Sequence, residues 1–306
     1  MADDLPPSMI AMLGDEFDVL PWDDASLSQA VALVTYGHPR VDGPLLDRAP
    51  HVKVVSNHGV GVDHIDVAAC EARSIPVGNT PGCLDGATAD MTFALLLAVA
   101  RNVVCGDKFA RSPAFTHYDP SFMIGREVWG STLGIIGLGR IGQQVAKRAR
   151  GFDMRILYHN RHRNAEAEAA WGAEYRSLDA LLSESDFVTL NCPLTPQTRG
   201  LIGAAQLRQM KPTAILVNMA RGGVVDHAAL CEALTSGAIA GAAVDVTEPE
   251  PLPRDHPLLS LSNLVIVPHL GSASDRTRRK MQEMTVENLW AGLRGEPLPY
   301  RVRPAS

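Results

Sequence analysis

Three polar residues stand just past short apolar runs. Arg221 follows Ala214-Ile215-Leu216-Val217-Asn218, Glu250 follows Ala242-Ala243-Val244-Asp245-Val246, and His269 follows Leu264-Val265-Ile266-Val267. Read as parallel strands, those runs put all three residues on one sheet edge, where open α/β sheets bind ligands. An arginine there can grip a carboxylate through two parallel hydrogen bonds. A histidine is a proton donor near neutral pH. A carboxylate beside it fixes its tautomer and favours its charged form. Singly, Arg221 would serve as well as a surface charge, Glu250 as a turn residue among prolines and His269 as a loop histidine. Beside a nucleotide site the three together point to chemistry. Of the other histidines, only His58 is placed near a ligand, whereas His38, His51, His117, His227 and His256 read as surface or packing residues.

The nucleotide site is carried by Leu133-Gly134-Ile135-Ile136-Gly137-Leu138-Gly139-Arg140-Ile141-Gly142. An apolar run, a glycine turn and an amphipathic run from Ile141 to Arg150 give strand, loop and helix in the order a dinucleotide fingerprint requires. Gly137 permits the tight turn, Gly139 lets the backbone approach a pyrophosphate, and Gly142 lets helix and strand pack closely. The helix start, Arg140 and Ile141, would present N–H groups and a partial positive charge to the phosphates. The second strand, Met154 to Tyr158, ends in His159-Asn160-Arg161-His162-Arg163. An NAD site carries an acidic residue there for the ribose hydroxyls. Here none occurs between Asp153 and Glu166, and Asn160, Arg161 and Arg163 stand in its place. Guanidinium forks suit a 2′-phosphate, so NADPH is the expected cofactor, with NADH possible.

These residues need a scaffold of alternating strands and helices. Phe187-Val188-Thr189-Leu190-Asn191 adds a strand to the runs already named, and helical stretches such as Ala228 to Leu234 separate them. That pattern predicts a parallel sheet covered on both faces. Upstream, Leu5 to Gly14 reads as a helix, and Phe17–Leu20, Val31–Thr35, Val52–Ser56 and Pro76–Val77 read as strands. The third of these runs into the glycine-rich loop Asn57-His58-Gly59-Val60-Gly61-Val62-Asp63. Thr88 to Ala98 is a helix apolar almost all round, expected to be buried between domains or between subunits. Phe109 to Gly130 reads as an irregular arm, and Asp275 to about Leu293 as one long helix.

The 306 residues suffice for two domains, and the net charge of −6 offers no basic stripe for nucleic acid. Five scattered cysteines without a C-x-x-C argue against a disulfide framework or a metal site and suit a reducing cytoplasm. Met1-Ala2-Asp3-Asp4 shows no leader pattern, and the longest apolar run, Phe93 to Ala100, is too short to span a bilayer.

Taken together, several stretches resemble the D-isomer-specific 2-hydroxyacid dehydrogenases. They are Gly59–Asp63, Asn79-Thr80-Pro81-Gly82, Gly137–Gly142, Cys192-Pro193-Leu194-Thr195, Asn218-Met219-Ala220-Arg221-Gly222-Gly223, Asp245–Pro253 and Pro268-His269-Leu270-Gly271-Ser272. Within that family the chain is most similar to glyoxylate/hydroxypyruvate reductases, through Ser272–Arg278 and Gly292–Pro299. The resemblance implies two Rossmann-like doubly wound domains with a cleft between them. Residues 1–92 and 276–306 would form the substrate domain, and 93–275 the dinucleotide domain. It implies reduction of a small 2-oxo acid to the D-2-hydroxy acid, with Arg221 binding the acid, His269 protonating the carbonyl oxygen and Glu250 orienting His269. Backbone N–H groups of Val60 and Gly61 would hold the carboxylate, and Gly271 and Ser272 would lie beside nicotinamide and substrate. The matching motifs also put Cys192, Pro193, Met219 and Asp245 at the cofactor, and a homodimer is implied. Two other activities fit the motifs less well. A phosphoglycerate dehydrogenase would carry an added phosphate site, and a dinucleotide-sensing corepressor a long tail.

One departure stands out. The family opens with a strand before the first helix, and here Leu5 already matches that helix. Ala25 to Ala30 is also short for a helix. Loss of a central strand would leave buried backbone groups unpaired.

Overall fold

The computed structural model describes residues 1–2 and 5–302; Asp3 and Asp4 of the opening stretch, and residues 303–306 of the tail, lie outside them. The chain forms two compact units, Met1–Leu84 with Ser274–Ser306, and Asp85–Ala273.

The first unit holds three short parallel strands, β1 (Leu33–Thr35), β2 (Val55–Asn57) and β3 (Val77–Gly78), in the order β1-β2-β3. The helices Pro7–Leu13 and Asp275–Arg294 pack with Leu5, Val34 and Val54 in one apolar cluster, and a second cluster fills the other face around Leu33, Val55 and Val77. Ahead of the first helix, the backbone of Met1 and Ala2 is hydrogen-bonded on two sides. The Met1 amine donates to the Ala32 carbonyl, Val34 N–H donates to the Met1 carbonyl, and Ala2 N–H donates to the Leu20 carbonyl. Met1 and Ala2 thus bridge β1 to the Phe17–Leu20 segment. Phe17–Leu20 is not a strand, contrary to its apolar pattern. The segment after it forms only the four-residue helix Asp24–Leu27.

The second unit is a seven-stranded parallel sheet: β4 (Thr132–Ile136), β5 (Arg155–His159), β6 (Glu174–Tyr175), β7 (Phe187–Leu190), β8 (Ile215–Asn218), β9 (Gly241–Val244) and β10 (Leu264–Ile266). Its order is β10-β9-β8-β7-β4-β5-β6. The direction of winding reverses between β4 and β7, which makes that junction the switch point of a doubly wound sheet. Alternate residues serve opposite faces. Leu157 and Val188 join one apolar cluster, and Ile156, Tyr158 and Phe187 join the other. Strand β6, two residues long, carries no alternation that a reader of the sequence could see.

The helix Asp85–Ala100 packs on the sheet of its own unit. Phe93, Leu95 and Leu96 are buried with Leu133 and Ile135, so its apolar side covers its own sheet. The arm expected from Phe109 begins as the helix Val103–Ala110 and turns irregular from Arg111. Among the described residues no single helix is long and apolar enough to cross a membrane; Asp85–Ala100 and Val103–Ala110 pass that test only as a pair bent by 59°.

Candidate active site

The glycine loop after β4 has the shape its residue types suggested. Gly137 takes φ +99°, and a Cβ there would come within 2.6 Å of the Cys192 N–H. The Cys192-Pro193 turn after β7 therefore lies directly beside it. A Cβ on Gly142 would collide with the Gly137 carbonyl, so helix and loop touch as the fingerprint requires. Gly139 faces open space, and the helix Arg140–Ala149 starts there with no side-chain cap. Its first N–H groups remain available to an anion. Leu138 N–H donates to Asn160 Oδ1 at 2.7 Å, which ties the glycine loop to the end of β5. Nearby, both polar atoms of the Asn191 amide are buried and meet no partner among the described residues. An open glycine turn at a helix N-terminus with an orphaned amide alongside fits a dinucleotide.

Arg161 is exposed beyond β5. Arg163 is engaged within the chain: its Nε and Nη2 donate to Glu168 Oε1 and Oε2 at 3.0 and 2.7 Å, and its guanidinium lies over the Tyr175 ring. The expected absence of a carboxylate from this loop thus needs correction. Glu168, in the helix Ala165–Trp171, is turned back onto it. The signal lay in Tyr158, a buried strand residue whose hydroxyl needed a partner and finds Glu168.

At the carboxyl ends of the adjacent strands β8, β9 and β10, Glu250 and His269 come together, and Arg221 follows β8 with its Nη1 donating to the Ala220 carbonyl at 3.0 Å. His269 Nδ1 and Glu250 Oε1 are 2.7 Å apart, and Glu250 Oε2 accepts from Thr247 N–H at 3.2 Å. The Arg221 carbonyl is held by the Asn218 side chain at 3.0 Å. His269 takes φ +55°, a conformation non-glycine residues rarely adopt and one that concentrates at functional sites. Asp245 holds it there. The Asp245 carbonyl accepts from His269 N–H at 2.9 Å, and its carboxylate accepts from the N–H groups of Leu270 and Gly271 at 2.5 and 2.9 Å. Burial pushes the Asp245 carboxyl up, against those N–H bonds and the charge of His269. Its carboxylate clamps the turn that carries His269. A Cβ on Gly271 would approach both Asp245 Oδ2 (2.9 Å) and Met219 Cε (3.2 Å), so Met219, Asp245 and Gly271 form one cluster, with Ser272 following. The Cys192 thiol is raised to about 11 by burial, which removes it as a nucleophile.

In the first unit, the loop after β2 is pinned by a residue that sequence reasoning left without a role. Asn57 Nδ2 donates to the carbonyls of Gly59 and Gly61, both at 2.9 Å, while Thr35 fixes Asn57 Oδ1 at 2.7 Å. Asn79 Nδ2 takes the Val60 carbonyl at 2.9 Å. With these three carbonyls taken, the loop's binding capacity rests on its N–H groups, Val60 and Gly61 among them. Beneath the loop, His58 is buried and lowered to about 4, first by burial and then by the charges of Arg278 and His38. Thr285 spends its hydroxyl proton on the Met281 carbonyl, so the 3.3 Å contact from His58 Nδ1 makes Nδ1 the donor and leaves Nε2 as a buried acceptor. His58 is thus a neutral packing residue under the loop.

Residues 93–271 match the family model for the D-isomer specific 2-hydroxyacid dehydrogenase, NAD binding domain. The chain belongs to the D-isomer-specific 2-hydroxyacid dehydrogenases. This dehydrogenase is 47% identical to the glyoxylate reductase of Pyrococcus furiosus, over 97% of its own chain and 93% of that one. Among solved structures, an NADPH-dependent glyoxylate/hydroxypyruvate reductase from Sinorhizobium meliloti, in complex with NADP and malonate, is similar with a TM-score of 0.88. It shares 31% identity and is covered for 97%, against 99% of this dehydrogenase. The D-lactate dehydrogenase of Aquifex aeolicus, complexed with NAD and lactic acid, gives a TM-score of 0.84 at 29% identity, covering 93% of this chain and 90% of that one.

Proposed function

We propose that this dehydrogenase reduces glyoxylate or hydroxypyruvate to the D-2-hydroxy acid with NADPH as the preferred cofactor. The observation that carries the reading is the 2.7 Å contact between His269 and Glu250 on the sheet edge that also bears Arg221. The glyoxylate reductase relatives point to the substrate class. Arg221 offers its guanidinium to the substrate carboxylate, as a fork that also fixes the carbonyl's orientation. The N–H groups of Val60 and Gly61 hold the same carboxylate. The bound nicotinamide supplies the hydride. Glu250 occupies Nδ1 of His269, so proton delivery to the carbonyl oxygen falls to Nε2. The glycine loop Gly137–Gly142, with Arg140, Ile141, Cys192 and Pro193, holds the dinucleotide, and Met219, Gly271 and Ser272 line its reactive end. A turnover panel of glyoxylate, hydroxypyruvate, pyruvate and phosphohydroxypyruvate tests the substrate class. Activity confined to the last two would overturn it.

The cofactor preference rests on Arg161. A charge-assisted contact to phosphate is worth roughly 1.5–3 kcal/mol, about ten- to a hundredfold in affinity. NADPH should therefore exceed NADH in kcat/KM by about that factor, and Arg161→Ala should erase most of the difference while sparing NADH. Equal use of the two cofactors by the parent would sink this reading.

The same reading includes a homodimer built on the arm. Phe115, Tyr118, Phe122, Met123, Ile124 and Trp129 are exposed there, Tyr118 and Ile124 to 80% and 79%. A run of this kind marks an interaction surface, and two-fold pairing is the commonest way to cover one. Light scattering at micromolar concentration should give twice the chain mass of 32.8 kDa; the mass of a single chain would refute it.

A further inference from the structure

Two guanidiniums stand in the loop after β5, and they are not equivalent. Arg161 is exposed. Arg163 is held on Glu168 by both its Nε and its Nη2. Glu168 is tethered in turn, because its Oε1 accepts from the hydroxyl of Tyr158 at 2.5 Å, and Tyr158 is fully buried in β5. That hydroxyl also accepts from Asn164 N–H at 2.9 Å, and the Asn164 side chain caps the helix Ala165–Trp171 through Ala167 N–H at 3.1 Å. The ion pair with Arg163 holds the Glu168 carboxyl below its ordinary range, so it carries its charge at neutral pH. Of the two acids that open this helix, Glu166 is exposed, and Glu168 is the one turned back onto the loop.

We propose that Glu168 is a specificity-determining residue for the cofactor: by cancelling the charge of Arg163 it leaves Arg161 as the guanidinium offered to a 2′-phosphate, and so limits how strongly the site prefers NADPH to NADH. The inference rests on the reading of this loop as the site for the ribose end of the cofactor. A phosphomonoester carries close to two negative charges that NADH lacks, so a carboxylate held in the loop acts more strongly on NADPH than on NADH, whose pyrophosphate charges bind at the glycine turn. The anchor in Tyr158 matters for the same reason. A mobile carboxylate would turn to solvent when the phosphate arrived, whereas one tied to a buried phenol stays and keeps Arg163 occupied.

Calorimetric titration of the whole protein with NADPH and with NADH tests the proposal without turnover. Glu168→Gln keeps the shape and an acceptor for Tyr158 while removing the charge. It should lower the Kd for NADPH about three- to tenfold at low salt and leave the Kd for NADH within about twofold. The gain should vanish near ~1 M salt, where screening reaches a few ångströms. Arg163→Gln, which uncovers Glu168, should weaken NADPH by a similar factor. The double variant Glu168→Gln/Arg163→Gln restores the parent's charge and should return NADPH affinity to within about twofold of the parent. A double variant as weak as Arg163→Gln alone would show that Arg163 touches the phosphate itself, and would overturn the proposal. So would a Glu168→Gln protein that loses both cofactors, or one whose gain survives high salt. Arg161→Ala separates this from the cofactor reading. If it leaves both affinities unchanged, the loop is not the phosphate site at all. If it weakens NADPH alone while Glu168→Gln changes nothing, the loop reading stands and the role of Glu168 falls.

Discussion

His269→Gln should lower kcat by roughly 10²–10⁴-fold, the usual worth of a positioned general acid, while the affinity for NADPH stays within about twofold. The argument is geometric. His269 stands past β10, held at φ +55° by Asp245, with Nδ1 committed to Glu250 at 2.7 Å. An imidazole so held presents its other nitrogen in one direction, and a protonated Nε2 can complete an alkoxide as hydride arrives. Glutamine offers hydrogen-bonding atoms at similar reach, so Glu250 keeps a partner and the loop is not emptied. It cannot supply a proton near neutral pH. Stopped-flow reduction of glyoxylate under NADPH saturation, with cofactor binding measured in parallel, checks the expectation. A variant within tenfold of the parent in kcat would remove His269 as the donor. A variant that had also lost NADPH would show that His269 shapes the cofactor site rather than the proton transfer.

How much of this was legible beforehand follows from how far each feature depends on neighbours in sequence. The glycine fingerprint is local: Gly137, Gly139 and Gly142 act within six residues of chain, and the spacing alone conveyed the turn, the open approach and the close packing that the structure shows. Arg221, Glu250 and His269 were legible through a rule of parallel sheets, since each follows a strand and β8, β9 and β10 are adjacent. The clamp of Asp245 on Leu270 and Gly271 was not legible, because a carboxylate near a nucleotide site reads as a ligand contact until the turn it holds is visible. Glu168 escaped for a related reason. It lies five residues beyond Arg163, in a helix whose start had to be known before its side chain could be placed. Asn57 pins the carbonyls of its own loop, a role that only backbone geometry reveals. Phe17–Leu20 misled in the opposite sense. Its pattern suits a strand, but a strand exists only beside another, and among the described residues the bond from Ala2 N–H to the Leu20 carbonyl does not extend into a ladder.

The least legible feature carries the largest structural consequence. Gly222→Ala should lower kcat/KM by about 10²-fold, although the residue touches neither substrate nor cofactor in the proposed mechanism. Gly222 opens the turn after Arg221, and a Cβ there would fall on the backbone of Thr247 and Glu248. Thr247 is the residue whose N–H holds Glu250, at 3.2 Å. One methyl group would therefore push apart the loop that carries Arg221 and the loop that carries Glu250, and a misplacement of about 1 Å is worth that much rate. The backbone cannot yield as a side chain can, so overpacking of about 1–3 kcal/mol should also appear in the melting temperature. Gly223→Ala is the control. The nearest atoms to its Cβ would be the ends of the Glu248 and Arg199 side chains, an exposed pair joined at 2.9 Å that can turn toward solvent. That variant should keep kcat/KM within about tenfold, because an exposed ion pair contributes roughly 0–1 kcal/mol. Steady-state kinetics and thermal melts on both variants decide the matter. Equal losses at the two positions would mean that the turn responds to any added bulk, and a Gly222→Ala enzyme with parental kcat/KM would mean that the close approach to Thr247 does not set the spacing of Arg221 and Glu250.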